Sequence, residues 1–359
     1  MMSERTNIEI KKYWMKKCIA LAKLSETEKN IDPLMAILIV HNNELVFECF
    51  SKNLSEDLIF KAIETIKNQK NLSEITIYMN ITPIFLKNKK MGINLLIDYK
   101  VPEVVIATLN PYEKGEQVIR QLKEAGIEVS LGVLEKEAKF LNRKYFTYHK
   151  YKKPYISLYV FHNSEKPINQ DVFLIFKKEN YIKEHAILLE AKDVIKENSQ
   201  FIYSSEENET PIRLVSDFDS FIPAYFYVLS DDFKTFIFRK KYSRINKNTN
   251  KRYIQSHWES KEECLEFILS RSYKNRISSL IIESDSYFFD ICLEKNLWNE
   301  IHFIQSKHDK KIEKKLTLNH VSENFYTKKE NIETIILSYY NNSRTFNIKS
   351  LNKQKSKKR

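Results

Sequence analysis

Short apolar runs of strand length alternate with amphipathic stretches of helical spacing along most of the chain, and that alternation restricts the fold to an α/β architecture. "LMAILIV" and "ELVFECF" read as two strands joined at "HNN", where asparagine supplies the turn. "EITIYMN", "EVVIATL" and "IEVSLGVL" are further strands, separated by the helices "MGINLLIDY" and "EKGEQVIRQLKEAG", the latter closed by Gly126. Ahead of them, residues 9 to 24 place Ile10, Trp14, Cys18, Leu21 and Ala22 near i, i+3 and i+4, an amphipathic helix. Ser55 is placed to cap a helix running through about Lys70. "EKEAKFLNRKYFTYH" reads as one closing helix. A helix, a hairpin and then alternating helix and strand imply a three-layer α/β domain over residues 1–150.

After a junction at "KYKKP", strands are predicted at "YISLYVF", "VFLIF", "HAILLEAKDVI", "IRLVSDF", "AYFYVLS" and "KTFIFRK". A helix capped by Ser260, "SKEECLEFILSRSY", precedes the buried strand "ISSLIIES", a helix through about Leu293 and the strand "EIHFIQS". This pattern implies a second α/β domain with a largely parallel sheet over residues 151–345. Residues 346–359, within the lysine-rich end, read as a basic disordered tail.

At 359 residues the chain suits two domains, each able to bury its own core. No run of about 18 uncharged apolar residues is present, so no membrane partner is expected. The opening "MMSERTNIEIKKYWMKK" lacks a signal-type apolar core, so the expected compartment is the cytoplasm. The four cysteines, Cys18, Cys49, Cys264 and Cys292, form no C-x-x-C pair and read as buried free thiols. The net charge of +12 could suit nucleic acid. Its excess is lysine, however, alongside abundant Asn, Ile, Tyr and Phe, a pattern that codon bias also produces, so nucleic acid is not the expected partner. The four glycines are Gly92, Gly115, Gly126 and Gly132. A glycine-cradled phosphate site is therefore absent from residues 133–359, because a Cβ blocks close backbone approach.

The segments "YWMKKCIALAK", "DPLMAILIVHNNELVFE", "TIYMNITP", "VPEVVIATLNPYEKG", "LKEAGIEVSLGVLEKEAKFLNRKYFTYHKYKKPYI", "AILLEAKDVIKEN", "PIRLVSD" and "SLIIESD…LEKNLWNEI" occur in one order. In that order the chain resembles the bifunctional riboflavin-biosynthesis deaminase/reductase family over about residues 9 to 305. The resemblance implies a cytidine-deaminase-like three-layer domain followed by a dihydrofolate-reductase-like α/β domain.

It also implies where chemistry should lie. In the family one His and two Cys hold zinc, and a Glu that is not a ligand shuttles the proton. Aligning Ala62 and Ile63 with the Ala-Ile after the family's His-Ala-Glu puts Asp57 at the His and Ile59 at the Glu. A one-residue slide puts Leu58 and Phe60 there. The first Cys position is Ile84, with Thr82 where a Glu stands, and the second falls at Gly92 or Ile93. Neither register supplies the donors, so no metal, and zinc in particular, is expected. In the second half the family's Glu-Gly-Gly turn is Glu283-Ser284-Asp285, its Ser-x-Asp-Gly stretch carries Glu165 and Lys166, and its Val-Gly turn is Leu189-Glu190 with Asp193 for the following Thr. Arg213 is placed either to meet a phosphate or to form a structural ion pair. Residual ligand contacts are expected at Asp32, Thr82, Glu165, Arg213 and Glu283.

Together these replacements imply a degenerate homologue that keeps the fold without the chemistry, a scaffold or regulatory partner of itself or of an intact paralogue. No cofactor is expected. The alternative is a residual reductase using NADP, and a basic nucleic-acid binder is the third reading.

Overall fold

The computed structural model describes residues 2–27, 31–51, 57–68, 72–83, 91–110, 112, 115–161, 170–198, 201–204, 210–218, 222–240, 250–306, 326–330 and 334–341. The chain divides into two compact units, Met1–Phe146 and Thr147–Arg359. The expected tail at 346–359 and the Ser55 cap lie outside the described residues.

The first unit runs α1 (Met2–Ala22), β1 (Ala36–His41), β2 (Glu44–Phe50), α2 (Leu58–Ile66), β3 (Ile75–Ile81), α3 (Met91–Asp98), β4 (Glu103–Thr108), α4 (Gly115–Glu124), β5 (Glu128–Leu131) and α5 (Glu135–Leu141), with α6 (Arg143–Tyr151) crossing its boundary. Its sheet order is β2-β1-β3-β4-β5. The hairpin strand β1 is antiparallel to β2 and β3, while β3, β4 and β5 are parallel. Asn42 and Asn43 take φ of 49° and 61° at the hairpin, a left-handed conformation that asparagine tolerates. Trp14, Met15, Cys18 and Ala22 of α1 cover one sheet face, packing with Leu38, Tyr78 and Val105. The strongly amphipathic α2 buries Leu58, Ile59, Ala62, Ile63 and Ile66.

Two boundaries differ from expectation. The residue that caps α2 is Asp57, and the helix stops at Ile66. The single closing helix breaks at Asn142 into α5 and α6. There Asn142 Oδ1 accepts from Leu34 N at 2.7 Å and its Nδ2 donates to Leu34 O at 3.1 Å. A side chain that satisfies the backbone leading into β1 fixes the break.

The second unit holds β6 (Tyr155–Phe161), α7 (Gln170–Tyr181), β7 (Ala186–Glu190), α8 (Ala191–Glu197), β8 (Ile212–Ser216), α9 (Tyr227–Ser230), β9 (Thr235–Arg239), β10 (Lys251–Gln255), α10 (Lys261–Lys274), β11 (Ser279–Glu283), α11 (Tyr287–Glu294), β12 (Glu300–Ser306), β13 (Tyr326–Glu330) and β14 (Thr334–Tyr340). Strand order is β10-β9-β8-β7-β11-β6-β12-β14-β13. The run from β10 to β12 is parallel, and β14 is antiparallel to both β12 and β13. Such a sheet must be covered on both faces, and two apolar clusters do so. One is built around Trp298, Phe288 and Leu265, the other around Tyr181, Val194 and Phe226.

The apolar run "VFLIF" is part of helix α7, not a strand, because Phe176 and Tyr181 are buried while Leu174 and Ile175 are exposed. Five apolar residues in a row do not distinguish a strand from a helix until the flanking "KKENY" is included. "AYFYVLS" contains the short helix α9 and "AKDVI" forms α8, so neither is a strand.

Candidate functional site

In the first unit the positions singled out at the second and third helices converge. Asp57 N-caps α2, its Oδ1 accepting from Phe60 N at 3.0 Å. Its other oxygen accepts from Gly92 N at 2.9 Å, at the start of α3. A Cβ on Gly92 would collide with the Asp57 carboxylate and come within 2.6 Å of Ile59 Cβ. Asp57, Ile59 and Gly92 therefore surround one point, and the carboxylate fills it. Ile84 lies outside the described residues.

This donor set does not fit zinc. Zinc takes four ligands in a structural site, or three and a water in a catalytic one, drawn from thiolate, imidazole and carboxylate. Here one carboxylate is committed to two backbone N–H groups, beside an aliphatic side chain and a glycine. Among the described residues no group of three or more His, Cys, Asp or Glu side chains could hold a metal ion. The other candidate donors are engaged elsewhere. Cys18 donates to Ala36 O, burial pushing its thiol far above the usual range, and His41 Nε2 lies 3.1 Å from Glu74. Cys49 is buried and its thiol contacts Leu58 O at 3.9 Å.

Thr82, at the end of β3, is buried and accepts from Asn110 N at 2.8 Å. Asn110 in turn exchanges hydrogen bonds with the Tyr145 hydroxyl at 2.9 and 3.0 Å. Thr82 thus holds the loop after β4 rather than presenting its hydroxyl outward. Asp32 lies half-buried in the segment before β1.

In the second unit a cavity of about 680 Å³ opens at the carboxyl ends of β7 and β11. Parallel α/β sheets usually bind ligands at that end. Glu283 lines it, accepting from Lys177 Nζ at 3.0 Å and from the Tyr181 hydroxyl at 2.8 Å. Burial, with Glu283 beside it, pushes the Tyr181 phenol well up. Glu190, at the end of β7, crosses to the first turn of α11. Its Oε1 accepts from Ser286 Oγ at 2.5 Å and Tyr287 N at 2.6 Å. The donors that a cofactor phosphate would use at this helix start are already spent on a carboxylate, so a nicotinamide dinucleotide does not fit there in the manner the resemblance implies.

Arg213 lies near the other end of the sheet, on β8, and is fully buried. It forms a two-pronged pair with Asp231 at 2.5 and 2.7 Å, and Lys251 Nζ reaches the same carboxylate at 2.6 Å. Of its two readings the geometry is that of the structural ion pair; an expectation of ligand contact is corrected by this burial. Glu165 lies outside the described residues. Lys177, Tyr181 and Asn110 were not singled out from sequence; a lysine one helical turn before a tyrosine in "KKENY" was the available signal.

Fold and site define two consecutive α/β units, the first with a mixed five-stranded sheet and the second with a larger, mainly parallel one. No family model matches the chain. It is 32% identical over 158 residues to riboflavin biosynthesis protein RibD of Aquifex aeolicus, covering 42% of each. It is 30% identical over 146 residues to RibD of Actinobacillus pleuropneumoniae, covering 40% of this chain and 38% of that one. The aligned region thus spans about two fifths of these relatives' length. The fold matches the crystal structure of a diaminohydroxyphosphoribosylaminopyrimidine deaminase/5-amino-6-(5-phosphoribosylamino)uracil reductase from Thermotoga maritima, with a TM-score of 0.76 at 20% identity over 93% of this chain and 99% of that one. The chain resembles the riboflavin-biosynthesis deaminase/reductase family. No helix among the described residues is long and apolar enough to cross a membrane.

Proposed function

We propose that this chain is a non-catalytic relative of the riboflavin deaminase/reductase, a cytoplasmic scaffold or regulatory partner of a flavin-pathway enzyme, pairing with itself or with an intact paralogue. One observation supports the reading: the Asp57 carboxylate, at the position where the resemblance puts a zinc-binding His, is committed to hydrogen bonds from Phe60 N and Gly92 N. Metal activation of water and general acid/base transfer together account for many orders of magnitude in rate, and among the described residues no group of three or more His, Cys, Asp or Glu could hold the metal. In the second unit the Glu190 contacts at α11 weigh in the same direction.

The test is an assay of pyrimidine deamination and of NADPH-dependent reduction on the purified chain, with co-purification against an intact deaminase/reductase. No turnover with co-purification is expected. Turnover by the chain alone would overturn the non-catalytic reading, and failure to co-purify with any such enzyme would overturn the scaffold. The alternative, a residual reductase, draws on the open cavity beside Glu283. It requires saturable NADPH binding at about millimolar concentration or below, a range that spans ordinary substrate affinities.

A further inference from the structure

The cavity beside β7 and β11 has a charge distribution that a phosphorylated ligand would not select. At about 680 Å³ it is the size of a small-molecule site. Leu174, Leu188 and Leu189 give it an apolar side, and Phe201 and Tyr203 give it an aromatic one. Phe201 holds a φ of 50°, a conformation bulky residues rarely adopt and one that clusters at ligand-binding segments.

The charges that face inward are unbalanced. Of the charged lining groups, Glu283 and Asp193 are partly buried carboxylates and Lys177 is the partly buried cation, already paired with Glu283, while Lys192, Lys196, Glu197 and Asp285 are exposed and Glu190, 2% exposed, is buried beside the cavity. Lys192, more than half exposed at the rim, is 3.4 Å from Glu190 Oε2, an oxygen with no hydrogen-bond partner. Asp193 makes no hydrogen bond or ion pair among the described residues. Burial, then Glu190, raises its carboxyl to about 6, with Glu197 and Asp285 adding to the rise and Lys192 opposing it. Two partly buried lining carboxylates, Asp193 and Glu283, with Glu190 buried beside them, thus outnumber the one partly buried ammonium, so a phosphate entering this space would meet repulsion, whereas an ammonium group would relieve it.

We propose that this cavity binds a small amine-bearing cation, seated against Asp193 and the Tyr203 ring, in preference to any phosphorylated molecule. Carboxylates supply the charge partner, and the aromatic wall supplies an electron-rich face for the cation and apolar surface for the carbon chain. The assignment stands independently of whether the chain has catalytic activity.

Isothermal titration calorimetry of the full chain tests it, using putrescine, its uncharged analogue 1,4-butanediol, and inorganic phosphate. Near neutral pH and low salt, putrescine binding is expected, with butanediol and phosphate at least about tenfold weaker. Moving from about pH 7.5 to about pH 5 protonates Asp193 and lowers putrescine affinity by about tenfold. The charged and titratable groups that surround it are Lys177, Glu190, Lys192, Lys196, Glu197, Tyr203, Glu283 and Asp285. Asp193→Asn is expected to reproduce the loss at pH 7.5, and Lys192→Ala to tighten binding. Equal affinity for putrescine and butanediol, tighter binding of phosphate than of putrescine, or unchanged affinity in Asp193→Asn would each overturn the proposal. Should Asp193→Asn not fold, the diol and pH comparisons on the native chain decide alone, and neither reads turnover.

Discussion

Asp57 ties two helix starts together: one carboxylate oxygen accepts from Phe60 N in the first turn of α2, and the other from Gly92 N in the first turn of α3. Each helix presents unsatisfied N–H groups and a partial positive charge at that end, so a carboxylate shared between them is favoured by both. A single side chain thereby joins the starts of two helices that follow different strands of the sheet.

The tie has a measurable strength. Asp57→Ala removes a helix cap and strands two N–H groups, and should cost about 1–3 kcal/mol in urea unfolding. Gly92→Ala drives a methyl into the same carboxylate and should cost a comparable amount. Because both act on one contact, the double variant should lose less than the sum of the singles. Full additivity would show that the two residues do not cooperate.

Glu190 plays the corresponding part in the second unit. Glu190→Gly removes the acceptor for Ser286 Oγ and Tyr287 N, which should destabilise the unit by about 1–3 kcal/mol in thermal unfolding. It also frees the start of α11, so inorganic phosphate should protect this variant against heat more than it protects the native chain. An equal phosphate effect on both would show that Glu190 does not occlude an anion site.

Asp193 sets a pH dependence of defined sign. Its carboxyl rises from 3.8 to about 6 on folding, chiefly through burial, so the folded chain holds this proton more tightly than the unfolded chain. Stability from this group is full below about pH 4 and declines as pH rises through about 6. Asp193→Asn should therefore be more stable than the native chain above pH 6, by about 1–2 kcal/mol after allowance for solvent screening, with the difference vanishing toward pH 4. Melting temperatures across that range check it.

The Arg213, Asp231 and Lys251 cluster should show the opposite sign. Burial alone would raise the Asp231 carboxyl, but hydrogen bonds from Arg213 and Lys251 outweigh it and hold it below the usual range. Stability from Asp231 is then present above the ordinary carboxylate value and lost as pH falls through the lower folded one. Arg213→Met, which leaves charges unpaired, should cost about 3–5 kcal/mol near neutral pH, measured by denaturant unfolding.

Much of this architecture is legible in the sequence because strand and helix periods are local properties. β1 to β5, α3, α4 and α10 follow from apolar spacing and from caps such as Ser260. "VFLIF" misleads because a continuous apolar run has no period of its own, and β10, "KRYIQ", carries charged residues that hide its strand character. The break at Asn142 depends on Leu34, 108 residues away, which no local window contains. Asp57, Ile59 and Gly92 are singled out together through the resemblance, and the structure brings them together. That Asp57 reaches Gly92, and Glu190 reaches Ser286, is tertiary information: the residues involved are 35 and 96 positions apart.

Equilibrium dialysis of the native chain against zinc, followed by elemental analysis, bears most directly on the proposed loss of a metal site in the first unit. Zinc well below one ion per chain is predicted, unchanged by Asp57→Ala, because the Asp57 carboxylate is engaged by two backbone N–H groups. One zinc per chain that is lost in Asp57→Ala would contradict the account.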